Sequence, residues 1–393
     1  MHLFINSLAA SAGGGLTYIR NVVPHLAAIS GLQLTVAASP GLREEFRNLT
    51  GVAFVETHVP PGRRFWYEQW TLPSVIRQCG ADVLLSAGNF ALRNSPVAQI
   101  LLSRNSIYTS ADFYRDLLSR HEYRLWLETR ARGLLASRSI QWADITVAPS
   151  ESFAAELRHW TGLPVRAVHH GFDPEAFSHD DSPLSAEVEE KLRTTDGSLK
   201  LLFVSHYNYY RNFETLFRAL PVLRDKLSGR PVKLLLTCML QGAENHGAYR
   251  SERAANLVKE LGIGEMVIEL GPVPYRQLHQ LYRRADIYVT PAYTETFAHP
   301  LVEAMASGLP VVASDLAVHR EICAEAAVYF PRFSSANLAG CVTQLAQSEE
   351  ISKRISDFGR ERSAQFSWKT HVQKIVELAA EVRLQSQHRT QAS

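Results

Sequence analysis

Residues 294–315 read TETFAHPLVEAMASGLPVVASD and follow, after Tyr293, on the apolar run DIYVTPA at 286–292. This stretch carries its own punctuation. Pro300 suits the first turn of a helix, where the N–H it lacks would have no intrahelical partner. Gly308 suits the position just past a helix end, and Pro310 prevents continuation. These signals predict a strand, a loop, a helix from about Pro300 to Ser307, and a second strand in LPVVASD. Strand, crossover helix and strand make one unit of a parallel α/β sheet. Glu295 falls on the loop and Glu303 within the helix. Free N–H groups at a helix start hold phosphate, and a carboxylate accepts hydrogen bonds from paired sugar hydroxyls. A pyrophosphate flanked by two sugars needs that combination.

Working outward, the same alternation fills the chain. Seven short apolar runs precede residue 172: LFINS, LQLTVAA, VAFVET, ADVLLSA, VAQILLS, DITVAPS and VRAVHHG. Six more follow: KLLFVS, VKLLLTC, MVIELG, DIYVTPA, LPVVASD and AVYF. Helix-length amphipathic segments separate most of them. Among these, TYIRNVVPHLAAI holds Pro24, which should bend or shorten it. Between the two sets, 173–198 is polar and acidic and reads as a linker with a short helix. The expected organisation is an α/β chain of two domains, 1–172 and 199–367, with parallel sheets facing across a cleft. A last helix, about 368–385, crosses back onto the first domain, and the tail after Leu384 is expected to fray. Open α/β sheets bind ligands in the crevice at the carboxyl ends of their strands.

Composition narrows the function. A formal charge of +2 over 393 residues gives no support to a nucleic-acid binder, which carries a clear basic excess. Cys79, Cys238, Cys323 and Cys341 are far apart with no metal-type spacing, which fits free thiols in a reducing compartment. The start, MHLFINSLAA, lacks a basic region and its apolar run breaks at Asn6 and Ser7, unlike a signal peptide. No run approaches the ~18 apolar residues that span a bilayer. A cytoplasmic protein is expected. The absence of an Asp-x-Asp motif after an apolar strand suits metal-independent chemistry, and no cofactor is expected.

Glu295 and Glu303, with seven residues between, resemble the E-x7-E signature of the retaining GT-B glycosyltransferases of the group 1, or family-4, class, a fold of two Rossmann-like domains. The resemblance implies that Glu295 contacts the donor sugar and Glu303 the ribose. It also places backbone near Phe297, Ala298, His299 and Leu301 at the sugar and phosphates. Ala298 stands where the family has Gly, which matters if the backbone there needs a positive φ. LLFVSHYNYYRNFETLFRAL (201–220) is similar to the segment that opens the family's C-terminal domain. Arg211 and Asn212 fall on its Lys-Asn pair, and a cation there balances the leaving diphosphate. A second basic residue, usual one position earlier, is replaced by Tyr210, and a glycine by Ser205. The loop GPVPY, with Val273, resembles one that holds the base through backbone groups.

In the first domain, Gly13, Gly14 and Gly15 precede a helix, and in the family this loop approaches the donor phosphates. A His-Asp pair common in the family is absent. Arg104 and Asn105 of ILLSRNSIY fall near its place, Arg104 to neutralise phosphate and Asn105 to hydrogen-bond the sugar. RRFWYEQWTLPSVIRQ resembles a family W-E-Q-x-x-L-P segment. Its aromatics Phe65, Trp66, Tyr67 and Trp70 read first as a helix face packed on the sheet, with an acceptor pocket as the alternative. AVHHGFDPEAF resembles the interdomain hinge through Gly171, Asp173 and Phe177, and its His169 and His170 read as packing. FSWKTHVQKIVELAAEV resembles the family's final helix.

The resemblance implies sugar transfer with retention in glycan, polysaccharide or glycolipid biosynthesis. Catalysis would rest on positioning and on stabilising the leaving group. A nicotinamide oxidoreductase is disfavoured because no G-x-G-x-x-G follows a strand. An epimerase or phosphorylase of the same fold, and a non-catalytic partner, stay as alternatives. The expected partners are a nucleotide-sugar donor and a saccharide or lipid-linked glycan acceptor. The run 113–142, FYRDLLSRHEYRLWLETRARGLLASRSIQW, reads as one basic amphipathic helix. It would pack its apolar face on the first domain or lie on anionic lipid at the inner membrane face.

Overall fold

The computed structural model describes residues 1–10, 13–240 and 249–392, apart from the side chains at 61 and 389–392. Each of the thirteen apolar runs holds a strand. The chain forms two compact units, one of 1–109, 126–171 and 367–393, the other of 110–125 and 172–366.

The first unit is built on β1 (His2–Asn6), β2 (Gln33–Ala38), β3 (Val52–Glu56), β4 (Val83–Ser86), β5 (Ala98–Leu102), β6 (Ile145–Ala148) and β7 (Arg166–Ala167). They form one sheet in the order β3-β2-β1-β4-β5-β6-β7, with every pair parallel. Leu3, Phe4 and Ile5 of the central strand are all fully buried, because helices cover both faces of a parallel sheet. Leu3 and Ile5 pack with Tyr18, Ile19, Val22 and Val23 of α1 (Gly13–Ala27), while Phe4 packs on the other face with Leu72 and Ile76. Helix α1 continues through Pro24 and stops one turn later.

The arginine-rich run is two helices rather than one, α2 (Ala111–Ser119) and α3 (Tyr123–Trp142). His121 takes a φ of +57° between them, a left-handed step that ends a right-handed helix. Residues 110–125, read from sequence as part of the first domain, group with the second unit.

The 173–198 stretch holds the expected short helix, α4 (Ala186–Arg193). It differs from a linker in that Phe177, Leu184, Val188 and Leu192 are buried in the core of the second unit. That unit carries β8 (Leu199–Phe203), β9 (Val232–Leu236), β10 (Val267–Glu269), β11 (Ile287–Thr290), β12 (Val311–Ser314) and β13 (Val328–Phe330). Their order is β10-β9-β8-β11-β12-β13, all parallel. Helix α5 (Phe213–Lys226) follows the loop after β8, and α6 (His299–Ala306) follows the loop after β11. Both sheets reverse their strand order beside the first strand, between β1 and β4 and between β8 and β11. Such switch points open the crevice in which α/β sheets hold ligands.

The last helix, α7 (Trp368–Ala392), groups with the first unit. Trp368, Val372, Ile375, Ala379 and Val382 make one buried stripe on its core, at the spacing of an amphipathic helix. The helix runs on past Leu384, where the sequence reading expected fraying.

Candidate functional site

In the second unit, the loop after β8 ends in a tight turn over Tyr209–Arg211 and then Asn212, whose φ is +56°. Asparagine tolerates this left-handed conformation better than most residues. Its amide nitrogen donates to the carbonyls of Pro291 (3.0 Å) and Arg332 (2.7 Å), and its oxygen accepts from the Thr215 hydroxyl (2.8 Å). The sequence reading gave Asn212 to the donor. Its side chain instead ties three loops together, because a buried amide must satisfy its own donors and acceptor.

Arg211, next to it, forms an ion pair with Glu295 on the loop after β11. Both side chains are largely buried, 20% and 10% exposed. The guanidinium also lies 5.2 Å from the ring of Tyr210. The cation expected for the phosphates and the carboxylate expected for the sugar therefore meet directly.

Helix α6 begins at Ala298, with φ +64° and ψ 66°. The backbone does take the glycine-like conformation here, with alanine bearing the steric cost. No side chain caps this helix start. The donor set is narrower than a full turn, since Pro300 has no N–H and that of Leu301 is bonded to the Ala298 carbonyl at 3.0 Å. Phe297 and Leu301 are buried, and the His299 ring lies 4.9 Å from that of Phe297, tilted by 58°. Val273 is half-buried against the core of the unit.

Glu303 lies one turn further, 2% exposed. The Tyr282 hydroxyl donates to it at 2.8 Å, and Tyr275 supplies a second hydrogen bond. Burial pushes its carboxyl up to about 7, against the pull of the two hydroxyls. Sequence reasoning missed both tyrosines as side-chain partners. Their separation of seven in YRQLHQLY was the available signal, because it places them on one face of a helical run.

In the first unit, Gly13–Gly15 are the first residues of α1 rather than a loop before it. Arg104 reaches this point from the end of β5. Its guanidinium donates to the carbonyls of Gly14 (3.0 Å) and Ala87 (2.7 Å) and lies 5.3 Å from the Tyr18 ring. A Cβ on Gly15 would come 3.2 Å from Arg104 Nη2, so the glycine leaves room for the arginine. Burial pushes the guanidinium down to about 10, so it remains a cation at neutral pH. The three first-unit residues assigned to the donor, Gly14, Gly15 and Arg104, are thus brought together. Asn105 is not with them: its oxygen accepts from the Ile107 N–H at 3.3 Å and caps the turn Ser106–Tyr108. Its side chain serves the local backbone, as asparagine does at a cap.

One further reading changes and one holds. Trp66 and Trp70 are 58% and 66% exposed, with ring centroids 4.8 Å apart. They stand outward where packing on the sheet was the first reading. The cause is a π-helical turn over Tyr67–Thr71 that instead buries Glu68, which accepts from Asn6 Nδ2 at 3.1 Å. His170 does pack as expected, among Tyr18, Trp368 and His371.

Among the described residues, no three or more His, Cys, Asp or Glu side chains are gathered as a metal ion would need. No helix among them is long and apolar enough to cross a membrane.

Comparison with known proteins agrees with this arrangement. The family described as glycosyl transferases group 1 matches residues 185–362, and glycosyltransferase family 4 matches residues 12–176. A D-inositol 3-phosphate glycosyltransferase of Corynebacterium jeikeium is 24% identical over 263 residues, 65% of this chain and 61% of that protein. The match thus spans less than two thirds of that relative's length. Sucrose-phosphate synthase from Thermosynechococcus elongatus superposes with a TM-score of 0.73 at 18% identity, covering 97% of this chain and 99% of that one. Anabaena HepE in complex with UDP-glucose superposes with a TM-score of 0.69 at 15% identity, covering 97% of this chain and 100% of that one. Two parallel sheets of matching strand order, the paired Arg211 and Glu295, and family matches over both halves lead to one assignment: the chain belongs to the group 1, family-4 class of GT-B glycosyltransferases.

Proposed function

We propose that this protein is a retaining, metal-independent glycosyltransferase that moves a sugar from a nucleotide-sugar donor to a hydroxyl of a saccharide or lipid-linked glycan. The observation that carries the reading is the meeting of Arg211 and Glu295 at the carboxyl ends of β8 and β11. A diphosphate draws the guanidinium, and a hexose hydroxyl needs the carboxylate. On donor binding each group exchanges its protein partner for a ligand partner. The acceptor oxygen then bonds to the anomeric carbon on the face from which the diphosphate departs. The C1–O bond to phosphate breaks, and the acceptor proton passes to a phosphate oxygen. Arg211 stabilises the charge that grows on the leaving group. Glu303 accepts from the ribose. That HepE is seen with UDP-glucose supports a nucleotide sugar as donor.

Thermal shift against UDP-, GDP-, dTDP- and ADP-sugars identifies the base, and turnover of the stabilising donor is then followed with and without chelator. Glu295→Ala should abolish turnover while the free nucleoside diphosphate still binds. Arg211→Ala should lower kcat more than donor affinity. Equal loss of nucleoside diphosphate binding in both variants would remove this division of roles, and loss of turnover with chelator would remove metal independence.

For the acceptor, a lipid-linked glycan is favoured by one observation. On α3, Leu127 and Leu134 are 65% and 72% exposed, and the exposed Arg130 and Arg138 share their face. Apolar and basic residues on one outward face suit the surface of an anionic bilayer.

A further inference from the structure

Helix α2 belongs by sequence between strands of the first sheet, yet residues 110–125 group with the second unit. Its polar residues recur at helical spacing, and each contact ends beside a residue of the donor site. Asp116 accepts from the Tyr293 hydroxyl at 2.8 Å. Tyr293 lies two residues before Glu295, and its N–H donates to the carbonyl of Tyr210 at 3.0 Å, the residue before Arg211. Arg120 bridges Asp116 and Glu214, at 2.7 Å to each. Asp112 pairs with Arg332 at 2.5 Å, and the Arg332 carbonyl holds Asn212. One rigid helix therefore reaches both the loop that carries Arg211 and the loop that carries Glu295.

The network is built to hold a position. Asp116, Arg120 and Glu214 have side chains 18%, 9% and 14% exposed, so their charges are desolvated and each depends on its partners. Tyr293 is 4% exposed, and burial, with the Asp116 carboxylate beside it, raises its hydroxyl well above the usual phenol range. A loop between strand and helix is free to shift unless something fixes it, and supporting contacts hold a reactive constellation in register.

We propose that Asp116 and Tyr293 are positioning residues, through which α2 fixes the Arg211 and Glu295 loops against each other. The inference rests on the proposed roles of Arg211 and Glu295 and goes beyond them by assigning what aligns the pair. Tyr293→Phe is the test, because it removes one hydroxyl and leaves the Asp116–Arg120 pair intact. Leu118→Ala, on the exposed side of the same helix, is the control.

Two measurements are made on the full chain. In the free protein, hydrogen exchange over 208–212 and 291–298 should quicken severalfold in Tyr293→Phe while α7 stays protected. With the donor that turns over, kcat should fall by about tenfold to a hundredfold, the scale of a small misplacement of reacting groups, while KM for the donor stays within about twofold. Leu118→Ala should match the wild type in both. Unchanged exchange in Tyr293→Phe overturns the proposal. So does full kcat in Tyr293→Phe when Glu295→Ala is inactive. Full activity in Glu295→Ala would defeat the proposed function instead, and the exchange result would still decide whether α2 orders the two loops.

Discussion

Glu303 shows what burial does to a single carboxyl. With the Tyr282 hydroxyl at 2.8 Å and 2% exposure, its pKa rises from 4.5 to about 7. Between these values the folded protein holds a proton that the unfolded chain has released, so stability falls as pH rises through that window and levels off above it. The cost of ionising the buried group reaches about 3 kcal/mol. Glu303→Gln should therefore raise the melting temperature at about pH 8 and change it little at about pH 5. An equal shift at both would show that Glu303 does not titrate in this range. The same variant should weaken nucleotide binding, read by calorimetry, because the amide has one acceptor oxygen and no charge at the proposed ribose contact. At this scale the sequence made Glu295, Glu303 and Arg211 legible, because motif spacing carries them. It did not reveal that Asn105 and Asn212 serve the backbone, since a short polar side chain declares its partner only once the loops around it are folded.

Among the elements, α7 shows how one residue admits a contact. A Cβ on Gly171 would stand 2.0 Å from the backbone nitrogen of Trp368, where no side chain can give way. Gly171→Ala should displace the start of α7 and cost on the order of 1–3 kcal/mol, the range of overpacking in a fitted core. Denaturant unfolding checks this, and an unchanged midpoint would mean that the helix start relaxes freely. Strand and helix periods placed the elements well, with α6 within one residue of its expected start and end. They failed on the run 113–142. Its composition is helical throughout, and only the left-handed step at His121 divides it. They also failed at Trp66 and Trp70, because a π-helical turn over 67–71 rotates side chains away from the faces that a 3.6-residue period assigns.

For the whole molecule, the exposed face of α3 makes a prediction about location. Each arginine near an anionic surface contributes about 1 kcal/mol, and Leu127 and Leu134 add apolar area. The protein should float with phosphatidylglycerol vesicles at low salt, less at high salt, and little with phosphatidylcholine alone. Leu127→Ser with Leu134→Ser should weaken flotation and leave turnover on a soluble acceptor intact. Wild-type protein that stays at the bottom of the gradient with anionic vesicles would favour a soluble acceptor.

By itself, the sequence determined the α/β class, the thirteen strands and the carboxylate–helix–cation signature, because these depend on local period, on Pro300 and Gly308, and on short motifs. The tertiary structure decided what the local signals do not contain. It placed α2 beside the loops that carry Arg211 and Glu295, engaged the side chains of Asn105 and Asn212, set Arg104 against Gly14 and Gly15, and turned Trp66 and Trp70 outward. The physical reason is common to all four. A helix's apolar stripe fixes that it must be buried, and a polar side chain fixes that it must be paired. Neither fixes against which distant segment, because that choice depends on which surfaces and charges the rest of the chain presents when it folds.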